Sequence, residues 1–262
     1  MKKIFTLCAA AALAASASAQ TVTESKTFDN WYIGVNGGIA TGIHPSQLGC
    51  GGSWAKDITP NAGLRVGRYF TPVFGLAAES NVYFADLHHA GRTGNNLFAN
   101  TTNTLVTSMN TSLIATINFS NWFGGYKGAP RLFEVSGVYG LGWGHVFGGE
   151  DGARYAKNWN SSDKKDFLTS KAGLDFAFNL GKAKAWQIYV EPSVIWNLEG
   201  AQKGVRYDAN YADFQLNAGV VYKFKNSNGT HNFTIAQVRD QAEIDGLNAK
   251  INDLRNDLNG KD

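Results

Sequence analysis

The sequence lacks the features that would stabilise an exported protein covalently or anchor it by a helix. It has two cysteines in 262 residues, and Cys8 lies in an N-terminal segment that we expect to be removed. Cys50 is then alone, so no intramolecular disulfide can form. Beyond that segment no apolar run reaches the ~20 residues that a membrane-spanning helix requires. The formal charge of +3 is small and gives no indication of a nucleic-acid partner.

The N-terminus has the organisation of a secretory signal. The chain begins MKKIFTLCAAAALAASASAQ, in which two lysines precede an apolar run over residues 4–14 and small residues occupy positions 17–19. This arrangement predicts a signal peptide over residues 1–19, cleaved before Gln20. Its removal takes Lys2 and Lys3 away and leaves a net charge near +1.

Apolar residues recur at every second position along most of the mature chain. Such alternation is typical of strands with one apolar and one polar face, and it predicts an all-β fold. We count eight strands, each near the ~9–11 residues that a tilted membrane strand needs. The predicted strands cover residues 31–41, 61–70, 74–84, 105–119, 133–143, 168–180, 186–198 and 214–224. An even number of strands brings both chain ends to the same side of a barrel.

The connections between these strands are of two kinds. The links after Phe70 and Leu180 are short, whereas those near residues 42–60, 85–102, 148–166 and 199–212 are long and polar. Short turns and long loops alternate in this way in outer-membrane barrels. The link over residues 120–130 is longer than expected for a short turn, and we expect its Trp122, Phe123 and Tyr126 to rest at the membrane interface.

The alternative is a soluble sandwich or a lipocalin-like barrel, whose strands also alternate. Against it, the polar face carries charges in mid-strand, and the apolar face is broad and aromatic at its rims. Inside a narrow barrel we expect these charges to pair with one another. Pro192 falls within a predicted strand, where it should mark a bulge. The predicted lumenal charge network is Arg65, Glu79, Glu134, Lys171, Asp175 and Glu191.

The last strand, NAGVVYKF, ends the alternation at Phe224. It resembles the closing-strand signal of outer-membrane barrels, with a polar residue, a glycine and two aromatics at Asn217, Gly219, Tyr222 and Phe224. In that family the barrel-assembly machinery recognises this strand. Residues 20–226 as a whole resemble the barrel of the outer membrane protein A type. The resemblance implies an eight-stranded antiparallel up-and-down transmembrane barrel, in contact with lipid in the outer membrane of a Gram-negative bacterium.

Residues 227–262 change character and predict a periplasmic linker followed by a helix. Apolar residues step by three and four, which is a short heptad seam of the kind found in coiled coils. Some proteins of the outer membrane protein A type, which this chain resembles, have a helical periplasmic spacer here, followed by a peptidoglycan-binding domain. Either the natural chain continues past Asp262, or the helix itself binds peptidoglycan, a periplasmic partner or further copies of the chain. The predicted seam is Ile244, Leu247, Ile251, Leu254 and Leu258.

No set of residues predicts catalysis, a metal site or a cofactor. His145 lies at a predicted strand end with no serine to pair with, and a hydrogen bond to lipid headgroups is the simpler role. We therefore predict a protein that is not an enzyme. The first functional hypothesis is a structural anchor for envelope integrity, with the helix as a periplasmic extension. The alternatives are a narrow or gated porin-like channel for small solutes, and adhesion through the external loops.

Overall fold

The computed structural model describes residues 22–23, 25–43, 58–84, 105–147, 165–200, 204–236 and 241–259. The predicted all-β fold is confirmed, because eight strands account for most of these residues. The strands are β1 (Trp31–Gly42), β2 (Thr59–Tyr69), β3 (Phe74–Phe84), β4 (Val106–Asn118), β5 (Phe133–Val146), β6 (Asp166–Leu180), β7 (Trp186–Asn197) and β8 (Ala212–Lys223). The signal peptide, Cys50 and most of each long loop lie outside the described residues.

The eight strands form one closed barrel in which each strand pairs antiparallel with its neighbours in sequence. Closure is made by β1 and β8, whose ladder runs from Tyr32 opposite Lys223 to Gly42 opposite Asp213. No sheet edge is left among the strands, since the first and last strands satisfy each other. We call the end where β1 begins and β8 finishes the cap end, and the opposite end the loop end.

The barrel wall is polar inside and apolar outside, the reverse of a soluble barrel. Along β1 the residues alternate strictly between exposed and buried over its first six positions. Large apolar side chains point outward around the whole circumference, with Leu113 63% and Val35 59% exposed. The buried set is instead dominated by asparagine, serine, threonine and charged residues. A bilayer, which solvates apolar surface and excludes charge, suits this exterior.

Aromatic rings concentrate where the outer face meets the cap end. Phe133 and Phe178 lie with their ring centroids 4.9 Å apart, and Trp186 lies 4.8 Å from Tyr222. Trp143 stands on the outer face near the loop end and contacts the ring of His145. Aromatic side chains at both rims suit the interfacial zones of a membrane.

The β4–β5 link contains a short helix, α1 (Phe119–Gly124), and differs from the prediction. Trp122 and Phe123 stack 5.9 Å apart, and Phe123 is 83% exposed, as a residue at the membrane interface would be. Tyr126, however, is buried. Its hydroxyl donates to the backbone carbonyl of Phe233 at 2.9 Å. Tyr126 therefore joins the link to the segment after β8, and the expectation that it rests on the membrane was wrong.

The bulge expected at Pro192 is not formed. Gly173 pairs with Ser193 and Phe176 with Val190, so the β6–β7 register is the same on both sides of the proline. On the other side Pro192 pairs normally with Leu216 of β8. The missing N–H of proline is tolerated because it interrupts the ladder towards β6 only locally, without inserting an extra residue.

A second helix, α2 (Gln241–Asn259), follows the barrel, as the heptad pattern predicts. The described side chains of its seam, Leu247, Ile251 and Leu254, are all more than half exposed. The side chains of Ile244 and Leu258 lie outside the described part. Within the described ranges, no helix is both long enough and apolar enough to cross a membrane.

Candidate functional site

Side chains fill the lumen in successive layers. The inward-facing residues of β3 and β7 show the order of these layers from the cap end to the loop end. From the cap end, β3 contributes Ala77, Glu79, Asn81 and Tyr83 at alternate positions. Strand β7 contributes Gln187, Tyr189, Glu191, Ser193 and Ile195 in the same direction. Alternate residues of a strand face inward, so each strand contributes one side chain to each layer. The central layer is charged, with apolar layers towards both ends.

Four charged side chains in the middle of the barrel form a closed ring, which we call the charge ring. Arg65 binds Glu79 and Glu191, with its Nη2 2.5 Å from an oxygen of each. Lys171 binds the same two glutamates, with Nζ–O distances of 2.6 and 2.5 Å. Each cation therefore contacts both anions, and each anion contacts both cations. Asp175 extends the ring through a 3.2 Å contact with Arg65.

The strand register explains why these residues meet. Arg65 on β2 lies directly opposite Glu79 on β3, so their side chains share the inner face at the same depth. Lys171 on β6 and Glu191 on β7 reach them across the lumen. All four side chains are at least 95% buried. Burying a charge without a partner costs several kcal/mol, so the ring satisfies groups that would otherwise destabilise the fold.

Glu134 was predicted in the same network but lies apart from it, near the cap end. Its carboxylate accepts from the backbone N–H of Arg131 at 3.2 Å and from the side-chain amide of Asn179 at 3.1 Å. Glu134 shares its face with the ring but not its depth. Face can be predicted from period two, whereas depth depends on the stagger between strands that the sequence pattern does not reveal.

Clusters of apolar and aromatic side chains pack in the lumen on both sides of the charge ring. Towards the cap end Tyr32, Ala77, Ala177, Tyr189 and Val221 pack together, and the Arg65 guanidinium lies 4.9 Å over the ring of Tyr189. Towards the loop end a second cluster packs around buried Tyr83. Its members are Ala40, Tyr83, Val146, Phe167 and Ile195.

A layer of buried amides lies between the charge ring and the loop-end cluster. These asparagines are all at least 92% buried: Asn36, Asn61, Asn81 and Asn217. Glycine makes room for them, because a Cβ added at Gly63 would stand 2.0 Å from the side-chain oxygen of Asn81. The inward-facing glycines thus admit polar groups to a narrow lumen.

The cap end is covered by the segments before β1 and after β8, which hold each other. Asn30 and Asn226 exchange hydrogen bonds, with the Asn30 N–H and the Asn226 amide each donating to the other's side-chain oxygen at 2.7 and 2.8 Å. Ser227 donates its N–H and its hydroxyl to Asp29, both at 2.7 Å. Further out, the Thr23 N–H donates to the Thr234 carbonyl at 2.9 Å. We call residues 22–23, 25–30 and 226–236 together the cap.

The cap was missed by the sequence analysis, which assigned residues 227–236 to a linker. The N–H of Ser227, which donates to the Asp29 carboxylate, holds the pKa of that group below its usual range. Burial raises the pKa of the Tyr126 hydroxyl beneath Phe233. The Asn228-Gly229 pair is a local sequence signal for a turn after β8, and Gly229 adopts a φ of 82° there.

The predicted closing-strand residues lie on both faces of β8 and just beyond it. Asn217 is buried and points inward, while Phe224 is exposed on the outer face. The N–H of Phe224 donates to the Trp31 carbonyl at 2.9 Å, which extends the closing ladder. Gly219 faces inward against the Tyr189 ring, where a Cβ would stand 2.5 Å away. Three of the four residues thus have structural roles in closure or lumen packing.

His145 has a partner that the sequence analysis did not identify. Its Nδ1 lies 2.7 Å from an oxygen of Asp166, and its ring packs between those of Trp143 and Phe147. Asp166 faces His145 directly across the β5–β6 ladder. Among the described residues, no cluster of three histidine, cysteine or acidic side chains is arranged to hold a metal ion.

Comparisons with known proteins find no relative by sequence and several solved structures with low sequence identity. No protein-family model matches it, and no curated protein matches its sequence. Among solved structures, Neisserial surface protein A is 11% identical with a TM-score of 0.42, over 75% of this chain and 98% of that one. The N-terminal β-barrel domain of Pseudomonas aeruginosa OprF is 13% identical with a TM-score of 0.40, over 74% and 97%.

A third structure, the outer membrane protein OprG from Pseudomonas aeruginosa, is also 13% identical with a TM-score of 0.40, over 74% of this chain and 96% of that one.

Proposed function

We propose that the chain is an outer-membrane barrel that serves as a structural anchor for the cell envelope, with α2 extending into the periplasm. The observation that carries this proposal is a lumen filled by buried side chains. The wall around it is apolar on the outside, and the charge ring lies at its centre. Such a barrel offers a surface for lipid on its outside, and in its described part side chains occupy the lumen.

The membrane placement is supported by the inverted polarity of the wall. Its strands are 11–15 residues long, enough to cross a hydrocarbon core when tilted. Closure leaves the backbone of the wall paired, as a bilayer interior demands. The aromatic rims suit the two interfacial zones. We assign the cap end to the periplasm because the short turns lie there, the usual arrangement in bacterial outer-membrane barrels.

The anchor role is favoured over the channel by the depth of the filling. A solute would have to pass two apolar layers and break the bonds between Arg65, Lys171 and the two glutamates. Eight strands leave an interior just wide enough for side chains. The external loops that would serve adhesion lie mostly outside the described residues.

The partners follow from the two ends of the barrel. The partners proposed for α2 are peptidoglycan, another periplasmic partner or α2 of a second copy. The described seam residues Leu247, Ile251 and Leu254 are exposed, and this apolar stripe suits a protein partner or a second copy. The closing strand, with Tyr222 and Phe224 outward, is offered to the barrel-assembly machinery during folding. Neither role requires catalysis or a cofactor.

The placement is tested by two measurements on the full chain. Refolded in detergent, it should migrate faster on a gel before boiling than after, with a β-rich circular dichroism spectrum. On intact cells, a tag placed after Asp262 should be reached by protease only once the outer membrane is permeabilised. A detergent-independent soluble fold, or a tag that protease cuts on intact cells, would contradict the proposal.

A further inference from the structure

The cap end of the lumen contains a polar recess that the anchor role does not use. Its volume is about 40 Å³, and it is partly open to solvent. Its inner wall is formed by the last inward-facing residues of the strands, including Glu134, Gln187 and Lys223. Its outer wall is formed by the cap, through Asn30 and Phe233. We call this space the cap-end recess.

The cap-end recess holds two opposite charges that do not contact each other. Glu134 is 5% exposed and Lys223 is 8% exposed, so both have lost most of their water. Asn179 stands between them: its amide oxygen accepts from Lys223 Nζ at 2.8 Å and its amide nitrogen donates to Glu134 at 3.1 Å. Within the described residues, neither charge forms a salt bridge. The two are thus held one amide group apart.

The amide between the charges is fixed in place. Its oxygen also accepts from the Gln187 side chain at 3.1 Å, and its nitrogen also donates to the Arg131 carbonyl at 2.9 Å. Asn179 therefore cannot turn to let the charges approach. Lys223 has three N–H donors, and its bond to Asn179 accounts for one of them.

This arrangement contrasts with the charge ring, where every ion contacts two of opposite sign. Buried charges that lack an ionic partner are costly, and that cost falls when a ligand supplies the complementary charges. Groups already held in position lose little further freedom on binding, which favours affinity. A ligand carrying an anion and a cation a few ångströms apart would satisfy both sides of the cap-end recess at once.

We propose that the cap-end recess binds a small α-amino-acid zwitterion, whose carboxylate contacts Lys223 and whose ammonium contacts Glu134. The rings of Tyr69, Tyr126 and Phe233 also line the recess, and they provide apolar surface for a short aliphatic side chain. Binding depends on the folded barrel and cap alone. Only the compartment to which the cap-end recess opens rests on the proposed function.

The first test uses the full chain refolded in detergent micelles, with the heat-modifiable gel shift as the check of folding. L-Alanine is titrated and followed by amide chemical shifts of the cap and by isothermal calorimetry. N-Acetylalanine, which keeps only the anion, and alanine amide, which keeps only the cation, are titrated in parallel. Each lost charge contact should weaken binding by about tenfold or more. Absence of saturable alanine binding, or equal binding of all three compounds, would overturn the proposal.

The second test assigns the contacts to residues. Lys223→Gln should weaken alanine binding at least tenfold and N-acetylalanine binding to a similar degree, while leaving alanine amide unchanged; Glu134→Gln should show the opposite selectivity. Lys182→Gln, in the exposed turn between β6 and β7, is the matched control and should bind alanine as the unmodified chain does. Equal binding by Lys223→Gln and Lys182→Gln would overturn the assignment. If a lumen variant fails to fold, the three-compound comparison on the unmodified chain still decides the proposal.

Discussion

The charge ring and the cap-end recess place buried ions of both signs in the same lumen, but they arrange them differently. In the ring, Arg65 and Lys171 each contact Glu79 and Glu191 directly. In the recess, Lys223 and Glu134 are separated by Asn179. Paired ions with no solvent nearby stabilise a fixed arrangement, whereas separated ions at a solvent-facing opening remain able to accept a ligand. The same residue types therefore serve rigidity at one depth and recognition at another.

Breaking the ring should have the largest effect on stability. Lys171→Met removes the ammonium that both glutamates share and leaves Glu79, Glu191 and Asp175 with Arg65 as their cation. We expect the free energy of unfolding to fall by about 3–5 kcal/mol, measured by urea titration of the refolded barrel with tryptophan fluorescence. Lys182→Met, on the exposed turn, should change it by less than about 0.5 kcal/mol. A loss below about 1 kcal/mol for Lys171→Met would show that the ring is not needed for stability.

The corresponding change in the recess should cost much less. Lys223→Met removes one described hydrogen bond to a neutral amide, so the same titration should show a loss of about 1 kcal/mol. The two methionine variants therefore differ several-fold although both remove a lysine from the lumen. Equal losses would erase the distinction between paired and separated charges.

Acid should loosen the cap. Asp29 has a lowered pKa in the folded state because it accepts from Ser227. Its charged form therefore stabilises the cap above its ordinary pKa of about 3.9, and this contribution is lost as pH falls through the lowered folded value. Hydrogen exchange at the Ser227 amide should lose protection on acidification below about pH 4. In Asp29→Asn that pH dependence should be absent; an identical pH profile would contradict the assignment.

Changing the α2 seam should have the smallest effect on the barrel. Ile251 is exposed, so Ile251→Asp should leave the gel shift unchanged. The unfolding free energy of the barrel should change by less than about 0.5 kcal/mol. If α2 joins copies of the chain, sedimentation in detergent should show an oligomer that Ile251→Asp reduces to a monomer. Asn252→Asp, one position along the helix, is the matched control. A monomeric unmodified chain would exclude self-association and leave a different periplasmic partner.

Period two predicts the strands and their faces because the geometry of a strand is local. The strand ends agree with the structure to within a few residues, and Arg65, Glu79, Lys171 and Glu191 share the face assigned to them. The position of Glu134 outside the ring could not be predicted, since it depends on how strands are staggered around the barrel.

The cap shows a second limit of prediction from sequence. Asp29 and Ser227 are 198 positions apart, and nothing in either segment alone indicates the other as its partner. Tyr126 was assigned to the membrane interface by its type, but the fold of residues 226–236 covers it. Contacts between distant segments require the closed barrel that brings both chain ends together.

The most direct test of the filled lumen is single-channel recording of the refolded full chain in planar bilayers. The unmodified barrel should insert, as judged by heat-modifiable protein recovered from the membrane, without producing stable conductance steps. Arg65→Ala, which opens the charge ring, should produce small or flickering currents if the ring closes the lumen. Stable, uniform conductance steps from the unmodified chain would contradict the anchor and establish a channel in its place.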